Sequence, residues 1–431
     1  MRTVRVGLLG CGVVGGGVVE LVKEHRADFE ARLGATLEIA KIAVRKEDVD
    51  RVKGVPREAI ATDVMEVVKT PDIDVVVEVM GGLHPAYECI HAALSRGVPV
   101  VTANKMLLAE RGPELLTLAR EKGVDLAFEA AVGGGIPVIR VFRDSLASDS
   151  IEKLAGIVNG TCNFILTRMR DDGASFADAL ADAQARGYAE ADPTLDVGGH
   201  DAAHKLVVLA MLAFGAEVDH SLVPTEGIRA LEPVDHAFAA RFGYVIKHLA
   251  IGRDRGAEVE LRVHPALVRR ETPLANVSGV LNAVALEGRA LGPLLLSGRG
   301  AGSLPTAVSV VADILDVAKG RLQGHQGSLV RGIRLAKRPL ASLDSVTTRY
   351  YLRFPVRDEP GVLSTLTGKL GERGVSIEQM VQDGRSEDGS PVQVVLTTHE
   401  AKEQNIREAL AAIESQSFSL GKTQVLRIEQ P

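Results

Sequence analysis

The chain has 431 residues, of which 46% are hydrophobic and 25% charged, so it is long enough for two or three globular domains with a substantial core. Its net charge of −6 disfavours a nucleic-acid-binding surface, because such surfaces are basic. The three cysteines, Cys11, Cys89 and Cys162, are widely spaced and no apolar run reaches the ~18 residues of a membrane span, so we expect a cytoplasmic protein without disulfides, a zinc site or a membrane anchor.

The first region, residues 1–135, alternates short apolar runs with longer helical stretches. The apolar runs are residues 4–9, 37–44, 75–79, 98–102 and 126–129. Because near-continuous apolar strands are buried on both faces, this pattern predicts an α/β domain with a Rossmann-type parallel sheet and helices on either side.

The rest of the chain divides into three further parts. Residues 136–320 mix helices and strands less regularly and predict an α+β domain, whose clearest helix begins near His200 and is apolar on nearly all sides. Residues 321–346 are polar and basic and are predicted to be a linker. Residues 347–431 show the βαββαβ order of a ferredoxin-like domain, which is expected to fold separately, so that its removal near Lys337 leaves an active core.

A glycine-rich turn follows the first predicted strand and opens a helix. Its residues are Gly10, Cys11, Gly12, Val13, Val14 and Gly15. In this context Gly10 permits a tight turn, Gly12 lets the backbone approach a pyrophosphate, and Gly15 lets the helix pack closely on the strand. The helix N-terminus would stabilise the phosphates. The pattern therefore indicates a dinucleotide site, with a purely structural glycine turn as the alternative.

The end of the second predicted strand bears on the choice of cofactor. No acidic residue stands there, whereas Arg45 and Lys46 do. An acid would bind the ribose hydroxyls of NAD, and an arginine can accept the 2′-phosphate of NADP. The two residues favour NADP, although a solvated basic turn would show the same pattern.

Residues 187–205 form a loop broken by glycine and proline that leads into the apolar helix. Asp201 and Lys205 are four residues apart, so they share a helical face. A charged pair at the head of a buried face is costly unless it is used or well satisfied. A catalytic pair and a structural ion pair at the helix start both remain open.

Several stretches together resemble the homoserine dehydrogenase family. In residues 183–205 the positions in register with the family motif are Gly187, Asp192, Pro193, Asp196, Gly198, Asp201 and Lys205; residues 102–105, 129–137 and 157–166 resemble other stretches of the family. The resemblance covers about residues 4–320. It implies NAD(P)H-dependent, reversible reduction of L-aspartate 4-semialdehyde to L-homoserine in threonine, methionine and isoleucine biosynthesis. It also implies that residues 136–320 form the catalytic and dimerisation domain of a homodimer or homotetramer.

The resemblance implies roles for individual residues. Lys205 would be the general acid that protonates the aldehyde oxygen as hydride arrives. Asp201 and Glu190 would hold the substrate's amino group, with Asp196 as a further substrate-binding residue. Lys105 would lie near the nicotinamide and the substrate, where it could stabilise the oxyanion or compete for the acid role.

Further ligand contacts are implied in the same way. Gly187, Glu190, Lys105 and Gly302 would line the cofactor pocket. A monovalent cation, expected to be sodium, would be held by the loop after the fifth strand, since alternating carbonyls suit a hard cation. Its ligands would be Glu129 and the carbonyls of Val132, Gly134 and Ile136. A purely structural loop is the alternative.

Residues 357–363, between a strand and a helix, resemble the turn of an ACT domain. That resemblance implies an amino-acid effector bound near Asp358 and Gly361, and L-threonine is the effector expected. A dimerisation module without a ligand is the alternative.

Two other functions stay open at this stage. One is another NAD(P)-dependent amino-acid or semialdehyde oxidoreductase, for which a phosphorylating enzyme would need a nucleophilic cysteine such as Cys162. The other is a non-catalytic regulator that binds NADP and an amino acid, which would not need Lys205.

Overall fold

The computed structural model describes residues 2–383 and 390–430 and shows a mixed α/β chain. The strands are β1 (Thr3–Leu9), β2 (Thr36–Ala43), β3 (Ile60–Ala61), β4 (Val75–Glu78), β5 (Val100–Thr102), β6 (Leu126–Ala127), β7 (Ile151–Ile157), β8 (Ala216–Glu217), β9 (Tyr244–Asp254), β10 (Val259–Arg269), β11 (Leu281–Gly288), β12 (Gly292–Arg299), β13 (Ala336–Lys337), β14 (Thr347–Val356), β15 (Ile377–Asp383), β16 (Val392–Thr398), β17 (Ala401–Lys402) and β18 (Gln424–Glu429).

The α-helices alternate with these strands along most of the chain. They are α1 (Val13–Glu24), α2 (Arg26–Leu33), α3 (Val64–Lys69), α4 (Ala86–Ser95), α5 (Lys105–Lys122), α6 (Val138–Arg140), α7 (Gly160–Asp172), α8 (Phe176–Ala185), α9 (Thr194–Val197), α10 (His200–Ala213), α11 (Pro233–Arg241), α12 (Ser303–Gln323), α13 (Ser328–Arg331), α14 (Val362–Glu372) and α15 (Glu403–Glu414).

The chain forms two compact units. The first comprises Met1–Val158, Asp201–Val223 and Leu281–Pro339, and the second comprises Asn159–His200, Pro224–Val280 and Leu340–Pro431. This division cuts across the predicted domain of residues 136–320 and joins the C-terminal region to part of it.

The first unit contains the predicted parallel sheet. Six strands pair in the order β3-β2-β1-β4-β5-β6, and each of these pairs is parallel. The four residues of β4 are all buried, as expected for a strand covered on both faces. The sequence did not predict β3, because a two-residue strand carries no periodic signal. The Rossmann-type fold class is confirmed.

Helix α12 packs on α1 in this unit. A Cβ atom at Gly17 of α1 would lie 2.9 Å from the Ser303 hydroxyl and 3.0 Å from Ala307, so glycine allows the two helices to approach. The same unit holds a second, antiparallel sheet in the order β12-β11-β7.

The second unit contains the C-terminal βαββαβ region, whose predicted strands and helices are confirmed. Its sheet runs β9-β10-β18-β14-β16-β15, and β18 pairs with β10 in parallel. The C-terminal strands thus continue a sheet begun by a hairpin that precedes them by about 80 residues of sequence.

The packing differs from the expectation of a C-terminal region that folds apart from the core. One hydrophobic cluster contains Tyr351 and Ile428 together with Phe164, Met169 and Ile246. The C-terminal strands therefore complete a core that begins with helix α7 and strand β9.

The predicted linker, residues 321–346, is not without structure. It includes the last residues of α12, the short helix α13 and strand β13, and Ala336 pairs with Ala216 of β8 in the same unit. Throughout residues 2–383 and 390–430, no helix is long and apolar enough to cross a membrane.

Candidate active site

The glycine turn lies between β1 and α1. Gly10 has a φ of 95°, which favours glycine, and its N–H donates to the Ala43 carbonyl of the neighbouring strand at 2.9 Å. A Cβ atom at Gly15 would lie 2.2 Å from the Gly10 carbonyl oxygen, so only glycine fits at this position in the first turn of α1. Among the described residues, apart from the chain next to Gly12 itself, no atom lies within 4 Å of the equivalent position at Gly12. The turn therefore leaves open space in front of a helix N-terminus, which suits a pyrophosphate.

The second glycine turn adjoins the first. Gly302 has a φ of 127° and precedes α12, whose first residue, Ser303, donates its hydroxyl to the Val13 carbonyl at 2.6 Å. This bond fixes the start of α1, where Val13 is 72% exposed and Val14 is partly buried.

Arg45 and Lys46 are both exposed just beyond β2. The Arg45 side chain is 75% exposed and pairs with Asp48 at 2.7 Å and with Glu47 at 3.4 Å. Its guanidinium is thus held on its own turn, so the geometry fits a solvated basic turn as well as a phosphate contact.

Lys205, Asp201 and Lys105 come together in the first unit. Lys205 Nζ donates to Asp201 Oδ2 at 2.6 Å and to the Val158 carbonyl at 2.7 Å. Lys105 Nζ lies 3.4 Å from the other carboxylate oxygen of Asp201. The side chains of Asp201 and Lys205 are only 11% and 13% exposed, and that of Lys105 is 40% exposed. Two ammonium groups share one carboxylate, which leaves an excess of positive charge for a developing alkoxide.

The other predicted substrate residues lie in the second unit. The Asp196 carboxylate accepts an N–H from the Asn159 amide at 2.7 Å, and Asn159 also caps helix α7 by accepting the Cys162 N–H at 2.8 Å. Glu190 and Gly187 are exposed, and Gly187 has a φ of 73°. The structure thus holds Asp196 in place and leaves Glu190 at the surface of its loop.

The predicted cation loop begins with a buried acid. Glu129 accepts the N–H groups of Ile139 at 2.9 Å and Arg140 at 2.8 Å, and its own N–H donates to Asp313 at 2.7 Å. Burial raises the pKa of Glu129 above its ordinary value despite these donors, and burial raises the pKa of Asp313 to about 7. A cation beside these two acids would favour their charged forms.

Two of the three predicted ligand carbonyls already accept hydrogen bonds. The Gly134 carbonyl accepts the Ser309 hydroxyl at 2.6 Å, and the Ile136 carbonyl accepts the Val138 N–H at 2.7 Å. Each oxygen keeps a second lone pair, and Val132 lies fully buried beside them. Among the described residues no group of three or more His, Cys, Asp or Glu side chains could hold a metal, so a cation here would depend on these carbonyls and on Glu129.

The predicted effector turn is exposed. Gly361 has a φ of 90° and precedes helix α14, and Asp358 lies in the same turn. Cys162, the possible nucleophile of the alternative enzyme, is instead fully buried, and its thiol lies 3.2 Å from the Asp196 carbonyl oxygen. A thiol buried against a backbone carbonyl is poorly placed for nucleophilic attack.

Comparison with known proteins decides the family. Models of homoserine dehydrogenase, of its NAD-binding domain and of the ACT domain match residues 137–315, 10–129 and 350–416. The chain is 44% identical to a homoserine dehydrogenase of Pseudomonas aeruginosa, with both chains covered in full. The crystal structure of a homoserine dehydrogenase from Thiobacillus denitrificans matches with a TM-score of 0.93 at 42% identity, over 100% of this chain and 99% of that one. A hyperthermophilic archaeal homoserine dehydrogenase in complex with NADPH matches at 27% identity with a TM-score of 0.62, over 73% of this chain and 98% of that one.

The chain belongs to the homoserine dehydrogenase family. It is an oxidoreductase that interconverts L-aspartate 4-semialdehyde and L-homoserine, with a nicotinamide-binding domain and a C-terminal ACT domain. The predicted family, fold class and type of enzyme are confirmed.

Sequence reasoning missed several polar groups that bind the candidate site residues or the segments that carry them. These are the carboxylate of Glu78, the Val158 carbonyl, the Asn159 amide and the Ser303 hydroxyl. Glu78 had a visible signal, because it is an acid inside an otherwise apolar strand. The others act through bonds between residues distant in sequence, for which the chain carries no periodic pattern.

Proposed function

We propose that Lys205 donates the proton in the reduction of L-aspartate 4-semialdehyde, while a bound reduced nicotinamide supplies the hydride. The arrangement of Lys205 between Asp201 and the Val158 carbonyl carries this proposal. Two of the three N–H groups of Lys205 bind these acceptors within the described part of the chain, and the third can face a substrate oxygen. In the reverse direction the neutral amine would accept the proton of the homoserine hydroxyl.

Lys105 and Asp201 complete this arrangement. Asp201 orients both ammonium groups, since its two oxygens face Lys205 and Lys105. Lys105 would stabilise negative charge on the carbonyl oxygen as hydride reaches the carbon, because a positive charge close to a forming alkoxide lowers its energy. Glu190 and Asp201 are proposed to bind the substrate's amino group by charge complementarity, and Asp196 is proposed as a further substrate-binding residue.

We propose NADP as the cofactor. Gly10, Gly12 and Gly15 supply the pyrophosphate turn, and a relative bound to NADPH shares the fold. Backbone contacts from Val13 and Val14 at the start of α1, together with the turns at Gly187 and Gly302, would complete the pocket. Arg45 and Lys46 would meet the 2′-phosphate once Arg45 leaves Asp48, a step that costs little for an exposed pair.

We also propose a bound monovalent cation, with sodium as the expected ion. Its ligands would be Glu129 and the carbonyls of Val132, Gly134 and Ile136. The ion would stabilise the charged forms of two adjacent buried acids, Glu129 and Asp313. A higher melting temperature in sodium chloride than in choline chloride at equal ionic strength would support this site, and equal values would contradict it.

The ACT domain suggests regulation by an amino acid. We propose L-threonine as the effector, bound near Asp358 and Gly361, because an acid and the N–H groups of a helix start suit the two ends of an amino acid. A cytoplasmic homodimer or homotetramer acting in threonine, methionine and isoleucine biosynthesis remains our expectation, as do the domain limits 1–135, 136–320, 321–346 and 347–431.

One assay tests the central proposal. NADPH oxidation is followed with L-aspartate 4-semialdehyde, with NADH in place of NADPH, and with millimolar threonine added. Rapid oxidation with NADPH, slower oxidation with NADH and inhibition by threonine are expected. Inhibition should disappear in Asp358→Ala while kcat persists; native inhibition in that variant would place the effector elsewhere.

A further inference from the structure

A carboxylate lies inside the parallel sheet, on the strand next to the cofactor turn. Glu78 is the last residue of β4 and is fully buried. Burying a charged carboxylate is costly unless hydrogen bonds satisfy it. Glu78 has three donors: the N–H groups of Met80 at 2.8 Å and Gly81 at 3.1 Å, and the Thr102 hydroxyl at 2.7 Å.

The Thr102 hydroxyl connects Glu78 to the loop after β5 by a second hydrogen bond. Thr102 ends β5, and its oxygen accepts the N–H of Asn104 at 3.1 Å. The Asn104 side chain caps helix α5 by accepting the Leu107 N–H at 3.1 Å, and its amide donates to the Gly82 carbonyl at 2.6 Å. The loops after β4 and β5 are therefore tied together, and α5 starts at a fixed point.

Lys105 is the first residue of α5 and approaches Asp201. We propose that Glu78 is a positioning residue that acts through Thr102 and Asn104 to set where Lys105 presents its ammonium group. The proposal rests on the catalytic role assigned to Lys105.

The location supports a role beyond holding the sheet together. The strand order reverses between β1 and β4, and ligands of such sheets bind in the crevice at the carboxyl ends of these strands. The loop after Glu78 also borders the cofactor turn, because a Cβ atom at Gly10 would lie 3.2 Å from the Val79 carbonyl. An apolar residue would fill the strand equally well, whereas a carboxylate with three directed bonds fixes two loops to each other.

The test removes the hydrogen bond between Thr102 and Glu78 without leaving a cavity in the sheet. Thr102→Val keeps the volume of the side chain but loses the hydroxyl, and Thr102→Ser keeps the hydroxyl. We expect Thr102→Val to lower kcat by about 10–100-fold, as expected for a displaced catalytic group, with little change in the KM for NADPH, and Thr102→Ser to recover most of kcat. Thr348→Val is the matched control, since it removes a buried hydroxyl that donates to the Ile428 carbonyl at 2.7 Å in the second unit.

A double-mutant cycle separates positioning from general structural damage. If Thr102 acts through Lys105, Thr102→Val should change kcat by less than about twofold when Lys105 is already alanine. The proposal would be overturned if the double variant lost as much kcat as the product of the two single losses. It would also be overturned if Thr102→Val kept native kcat while Lys105→Ala lowered it. Native kcat in Lys105→Ala itself would remove the catalytic role of Lys105 and the positioning role with it.

Discussion

Two buried ion pairs, one in each unit, differ in how far apart their residues lie in the sequence. In the first unit, Asp201 and Lys205 stand four residues apart on one helix and form a pair that the sequence pattern can reveal. In the second unit, Arg262 pairs with Glu429 across 167 residues, at 2.6 Å, with side chains only 1% and 3% exposed. The local pair is the one proposed to take part in catalysis, whereas the distant pair holds the last strand of the chain to β10.

The second arrangement recurs through the C-terminal region. Arg353 of β14 bonds to Asp235 of α11 at 2.7 Å, across 118 residues. Because breaking a buried ion pair leaves an uncompensated charge, each such contact costs about 3–5 kcal/mol to break. The C-terminal region is therefore integral to its unit, although its sequence has the pattern of a separate domain.

The largest effect is expected from removing the C-terminal region, and with it all of its long-range contacts. Ending the chain at Pro339 removes Glu429 and the strands that cover the cluster around Phe164 and Ile246. These contacts reverse the expectation, drawn from the sequence pattern, that removal near Lys337 leaves an active core. We expect no soluble, active enzyme, measured by size-exclusion chromatography and by NADPH oxidation. Asp358→Ala, a change in an exposed turn of the same region, should keep the native melting temperature. A monodisperse truncated protein with native kcat would show that the C-terminal strands are dispensable.

The next prediction breaks the local pair. Lys205→Ala should lower kcat by ~10²–10⁴-fold, the usual contribution of a general acid, with nearly unchanged affinity for NADPH in a fluorescence titration. Lys205→Arg keeps the charge but cannot release a proton near neutral pH, so it should remain far below native kcat. Recovery of native kcat in the arginine variant would mean that charge alone matters.

These two cases show what could be predicted from the sequence. Apolar runs predicted β1, β2, β4, β5 and β6 because each buried strand is locally apolar, and the helix that bears Asp201 and Lys205 followed from its apolar faces. Motif resemblance supplied the candidate catalytic residues. The pairing of β18 with β10 could not be predicted, because the sequence of neither strand indicates which strand it pairs with. The hydrogen bond from Lys205 to the Val158 carbonyl could not be predicted for the same reason.

A smaller effect should come from the residue that holds Asp196. Asn159→Ser keeps a capping oxygen for α7 but loses the amide that donates to Asp196. We expect kcat/KM for the semialdehyde to fall by about tenfold, since a misoriented binding group weakens both substrate and transition state.

The matched variant Asn159→Asp sharpens this result. It keeps shape and capping oxygen but places a carboxylate against that of Asp196, so it should lose more activity than the serine variant and raise the KM for the semialdehyde further. Equal kinetics in the native enzyme and the aspartate variant would contradict a role for Asp196 in substrate binding.

The smallest effect concerns the exposed basic residues after β2. Arg45→Ala combined with Lys46→Ala removes two exposed charges, and Arg45 pairs with Glu47 and the partly buried Asp48 of the same turn, so folding should be little affected. If the pair meets the 2′-phosphate, the KM for NADPH should rise by about fivefold, since an exposed charge pair contributes up to about 1 kcal/mol, while the KM for NADH stays close to native. Asp48→Asn is the opposing control: it frees Arg45 from its carboxylate and should lower the KM for NADPH. Equal changes for both cofactors would mean that Arg45 belongs to a solvated turn, and that the charge pattern after β2 does not select NADP in this chain.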